Sequence, residues 1–209
     1  MLPPASRRPD DLPGLLGHPG AVLRRQAMLG GLHMTALNAH ALRLAEQSCG
    51  FVPDFDPLDG GAAARLLFLF DKPGPGSCPP TGSGFASRDN DDPGAANIRI
   101  AMTAAGVPRE STVIWNTVPW WNGMAACSEA EMRGGAGQLL HLVRILPRLR
   151  GVVLVSAGAQ AYGGSVLEGI GLHLFRSVHF PALTDDGPGS RNRWERTSEF
   201  WREAWLKVA

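Results

Sequence analysis

The chain has 209 residues, of which 44% are hydrophobic and 19% charged, and its net charge is +1. These values fit one soluble domain with a core that stands without disulfides or metal, and they exclude an intrinsically disordered chain. They also exclude a global electrostatic field for nucleic acid, so any such surface must be a local patch.

Only Lys72 and Lys207 are lysines; the other basic residues are arginines, whose planar fork suits phosphate. The cysteines, Cys49, Cys78 and Cys127, stand far apart with no CxxC spacing, which argues against a zinc or iron–sulfur site and for free thiols in a reducing compartment. The N-terminal MLPPASRRPDDLPG has no apolar signal core, and no apolar run approaches membrane length. The expectation is a cytoplasmic protein of one domain, 1–209, with an irregular Pro-rich arm over 1–20.

From Ala21 to Ser48 the apolar spacing is helical with a break at Gly30-Gly31. A loop, FVPDFDPLDGG, leads to RLLFLF (65–70), the first clear strand. A long loop follows over about 71–93, and AANIRIAMTAAG (95–106) reads as a helix. STVIWNTVPWW (111–121) is a second strand running into a loop, and 129–149 is helical towards its end. GVVLVSAG (151–158) is the third strand, with a helix starting after Gly158. LHLFRSVHFPAL (172–183) is a fourth strand, and Ser190 caps an amphipathic helix over 190–208. The alternation predicts an α/β fold: three layers, α/β/α, around a central, mostly parallel four-stranded sheet.

In such a sheet the ligand sits beyond the carboxyl ends of the strands. Those ends carry Asp71, Asn116, Ser156-Ala157-Gly158 and His179. Asp71 closes a buried strand and opens a Pro/Gly loop longer than ordinary connections. Asn116 breaks an apolar strand, and its planar amide offers one acceptor and two donors, suited to the edge of a nucleobase. Phe85, among small residues in TGSGFAS, reads as an exposed stacking platform. SRDNDDPG (87–94) lacks the Glu that ends an EF-hand loop, and SAGAQAYGG lacks the Lys of a P-loop.

The order FDKPGP, GFAS, IWNTVPW, VLVSAGAQA and HFPAL resembles the motif order of the uracil-DNA glycosylase superfamily, over about residues 65–185. The resemblance implies a monofunctional DNA-repair glycosylase that needs no cofactor, acts as a monomer on uracil-containing DNA and leaves abasic-site DNA. It implies that Asp71 directs water and stabilises an oxocarbenium-like sugar. Phe85 would stack on a flipped base, Asn116 would bond N3–H and O4 of uracil, and His179 would donate towards O2. Leu183 is the implied wedge, with Arg191 and Arg193 on phosphates, and Lys72 and Arg88 as a second DNA track. The chain departs from the family pattern at Phe70 (usually Gly), at Lys72 and in HFPAL, where Phe separates His from Pro and Ala replaces Ser. Two other readings share these residues: a non-catalytic binder of damaged or abasic DNA, and an α/β enzyme acting on small nucleosides or nucleotides.

Overall fold

The computed structural model describes residues 12–177 and 190–209, without the side chains of 190–194. Its main sheet is formed by β2 (Leu66–Phe70), β4 (Thr112–Asn116), β5 (Gly151–Leu154) and β6 (His173–Arg176), all parallel, in the order β4-β2-β5-β6. Two short strands, β1 (Asp54–Phe55) and β3 (Phe85–Ala86), pair in parallel apart from it. The helices are α1 (Pro19–Ala27), α2 (Thr35–Gln47), α3 (Pro93–Ala105), α4 (Glu129–Ala136), α5 (Leu139–Arg144), α6 (Gly164–Leu167) and α7 (Ser190–Val208).

The LLFLF run of β2 is apolar throughout because both its faces are covered. Leu67 and Leu69 pack with α2, α4, α5 and α6; Leu66 and Phe68 pack with α3 and α7. Those two clusters are the interfaces between the sheet and the two helix layers of the expected three-layer α/β/α architecture. Trp201 of α7 sets its ring edge-on to Phe68 at 4.7 Å and donates through Nε1 to Ser177 Oγ at 3.0 Å.

Local chemistry fixes the helix that borders the site. Asp92 caps α3 by accepting from Ala95 N at 2.9 Å, Pro93 opens it, and Gly106 closes it at φ 68°, where a side chain would be strained. Several boundaries differ from the sequence reading. The 1–20 arm gives way to a 3₁₀ turn at Leu15–Gly17, with α1 beginning at Pro19. The 129–149 helix is two helices, and the turn after Gly158 is a π-helical turn, Ala159–Gly163, ahead of α6. Residues 1–11 and 178–189 lie outside the described residues, the latter including the end of the expected fourth strand. Among the described residues, no helix is long and apolar enough to cross a membrane.

Candidate active site

In chain order, β4 lies on one side of β2 and β5 on the other, so the chain switches direction at the carboxyl ends of β2 and β5. A crevice opens at such a switch point, and ligands of open α/β sheets bind there. Asp71 follows the carboxyl end of β2 at that switch, next to β5. Its Oδ1 accepts from Ser156 Oγ at 2.5 Å and from Ala159 N at 2.7 Å. The π-helical turn aims the Ala159 N–H, and such turns recur at functional sites. Gly158 is required beside it, because a Cβ there would stand 2.5 Å from Asp71 Oδ1 and 1.7 Å from Met132 Cε. One carboxylate oxygen is thus tied down and Oδ2 carries no described bond.

On the α3 side of the same edge lies a cavity of about 450 Å³. Its walls are the loop over 72–77, Ala86, Ser87 and Asn90, the start of α3, and the strand ends Phe70, Ile114 and Asn116. This volume falls in the range of small-molecule sites. The loop wall is braced: Asn90 Nδ2 donates to Ser77 Oγ at 3.1 Å and to Phe85 O at 2.9 Å, and Ser83 N donates to Gly76 O at 3.1 Å. Asn116, only 7% exposed, faces this cavity, and its amide has no hydrogen-bond partner among the described residues. The amide therefore opens onto the cavity, where its acceptor and two donors can meet a ligand.

Asp71 and Asn116 share one sheet edge but face opposite sides of it. Strand alternation turns Asp71 with Leu67 and Leu69 towards α4, while Asn116 follows Ile114 towards α3. The backbones meet: Thr117 N donates to Phe70 O at 2.7 Å and Val118 N to Asp71 O at 2.8 Å.

Three expected site residues are placed differently. Phe85 is 1% exposed, paired into β3 against β1, and lies outside the cavity wall, so it is not the exposed platform expected. Arg88 is 5% exposed, donates to Thr112 Oγ1 at 2.7 Å and pairs with Asp59 at 3.6 Å, so it is not a surface phosphate contact. Lys72 has a side chain 3% exposed, with Nζ 2.8 Å from both Glu131 Oε1 and Asn122 Oδ1, so it too is occupied internally. His179 and Leu183 lie outside the described residues, as do the side chains of Arg191 and Arg193. Burial pushes the Cys78 thiol up to about 12, far from a nucleophile's range.

Sequence reasoning missed an ionic network beneath the cavity. Asp56, Asp59 and Asp89 are buried with Arg25, Arg88, Arg99 and Arg109 around them. Arg25 Nη1 stands 2.5 Å from Asp56 Oδ2, and Arg109 reaches all three acids within 2.9 Å. Ser87 of the cavity wall donates into it, to Asp56. Burial raises the Asp56 carboxyl, but Arg109, Arg25, Ser87 and the Leu58 N–H outweigh this and hold it below its ordinary value. Asp59 is pushed up to about 6 by burial, with Asp56 and Asp89 adding to the rise against Arg88 and Arg109, and its Oδ2 has no partner among the described residues. The acidic DFDPLD stretch among apolar residues was the available signal. Two of the three acids of SRDNDDPG have structural roles: Asp89 in this network, Asp92 at the α3 cap.

No family model matches the sequence, and no curated protein matches it either.

Proposed function

We propose that this chain hydrolyses the N-glycosyl bond of uracil in DNA, leaving an abasic site. The observation that carries the reading is Asn116: an amide with no partner among the described residues, at the wall of a cavity on the same sheet edge that fixes the Asp71 carboxylate on its other side. A base turned out of the duplex enters the cavity, where Asn116 accepts from N3–H and donates to O4. Cytosine presents the opposite pattern at those two atoms and is rejected. The sugar crosses the end of β2, so that its anomeric carbon meets Asp71. There Oδ2 orients water, and the carboxylate charge stabilises the oxocarbenium-like transition state. Oδ1, held by Ser156 and Ala159, fixes the direction of that charge. His179 is the proposed donor to O2 as negative charge develops on the departing base.

One observation favours a second reading, an enzyme acting on free nucleosides or nucleotides. Lys72 and Arg88, expected at phosphates, are consumed in internal pairs. The test is base release from labelled uracil-containing single- and double-stranded oligonucleotides, read by alkaline cleavage, with uridine and deoxyuridine beside them. The proposal expects strand cleavage and intact nucleosides. Hydrolysed nucleosides with intact DNA would replace it with the second reading, and tight abasic-site binding without release would make the chain a non-catalytic binder.

A further inference from the structure

We infer that Lys72 is a positioning residue, the pin that holds Asp71 and the cavity loop in register with the loop after β4 and the start of α4. The inference rests on the glycosylase reading for what Asp71 does, but the pin itself is a matter of geometry. Lys72 Nζ donates to Asn122 Oδ1 and to Glu131 Oε1, each at 2.8 Å, and Asn122 Nδ2 donates to Glu131 Oε1 at 3.0 Å. The three side chains close a triangle. Glu131 is itself fixed: its Oε2 accepts from Ser128 N at 2.9 Å and Ser128 Oγ at 3.0 Å, the capping box that starts α4.

The triangle ties together three segments that position the site. Lys72 follows Asp71 directly and lines the cavity; Asn122 lies in the loop leaving Asn116; Glu131 precedes Met132, whose methyl packs beside Gly158 and Asp71. From the β5 side Asp71 is held by Ser156 and Ala159, and from the β4 side its own carbonyl accepts from Val118 N. Lys72 restrains the loop on the remaining side. With its side chain 3% exposed, the ammonium is desolvated, and removing it takes a bond from both Asn122 and Glu131. The Lys72 bond, with the Ser128 N–H, holds the Glu131 carboxyl down at about 2.

Cys127 reports on this pin independently of catalysis. It is half-buried and feels the charges of Lys72, Asp71 and Glu131. Its thiol is raised mainly by burial, and Lys72 opposes that rise. Replacing Lys72 by Met therefore makes the thiol less reactive if the loop stays closed, and more reactive only if the loop opens.

The experiment compares the parent, Lys72→Met and Lys72→Arg, all as full chains carrying Cys49→Ser. It measures Cys127 alkylation by iodoacetamide and uracil release, with melting temperature as a check on folding. Lys72→Met should raise alkylation several-fold and lower kcat about tenfold with KM within about twofold, and Lys72→Arg should restore most of both. Lower or unchanged alkylation with the parent's kcat in Lys72→Met overturns the inference. If the parent releases no base, the glycosylase reading fails by itself. Alkylation then decides the pin alone: a rise that Arg reverses upholds it, and no rise refutes it. Should Lys72→Met not fold, Lys72→Arg decides: alkylation near the parent's upholds the pin, and a several-fold rise refutes it.

Discussion

Gly158→Ala is the sharpest single perturbation of the site. The new Cβ would stand 1.7 Å from Met132 Cε and 2.5 Å from Asp71 Oδ1. The methionine methyl ends a flexible chain and can rotate away. The carboxylate cannot retreat freely, because Ser156 Oγ and Ala159 N hold that same oxygen. Restoring an ordinary contact of 3.4 Å moves Oδ1 by about 0.9 Å. Overpacking of this kind costs about 1–3 kcal/mol. In a chain of this size each kcal/mol lowers Tm by about 2–4 °C, so a fall of about 2–12 °C is expected by scanning fluorimetry. A reacting group displaced by about 1 Å loses about 10²-fold in rate, which single-turnover base release would show. Adding Met132→Ala removes the methyl clash alone, so the rate should stay low. A parental rate in Gly158→Ala, whatever the Tm, would refute the argument that this oxygen's position matters.

Other consequences follow from named groups. Asn116→Asp places an acceptor where a donor met O4, so discrimination against cytosine should fall by an order of magnitude or more, about 1–3 kcal/mol of lost or unpaired bonds, in competitive cleavage assays. Arg25→Ala leaves Asp56 and Asp89 buried with one cation fewer and should cost about 3–5 kcal/mol in urea denaturation. Asp59, with an ordinary value of 3.8 and a folded value of about 6, keeps its proton longer in the folded chain. Between about pH 4 and pH 6 the folded state binds more protons than the unfolded one, so this residue's contribution falls as pH rises; Asp59→Asn should flatten that limb of the stability profile.

The sheet was legible because its strands are buried on both faces, which leaves continuous apolar runs such as LLFLF and GVVL. Asp71 and Asn116 were legible for the same reason: each is a polar residue where such a run stops. Phe85 was misjudged because β1 and β3 have two residues each, too few for any periodicity, and their pairing joins segments about thirty residues apart. Lys72 and Arg88 were misjudged because sequence shows a charge without its partner. Glu131 lies 59 residues from Lys72, and Asp59 meets Arg88 only through the tertiary fold. The capping box SEAE (128–131) was readable, but that its glutamate would also receive Lys72 is a tertiary fact.

The central claim is that the Asp71 carboxylate cleaves an N-glycosyl bond, and Asp71→Asn tests it with little change of shape. An asparagine Oδ1 can still accept from Ser156 and Ala159, so the fold and DNA binding should survive while the charge at Oδ2 is lost. Single-turnover uracil release and oligonucleotide affinity would be measured on the same preparations. The account predicts release by the parent, a loss of about 10²–10³-fold or more in Asp71→Asn, and a Kd for DNA within about twofold of the parent's. Equal release by the two proteins would contradict it.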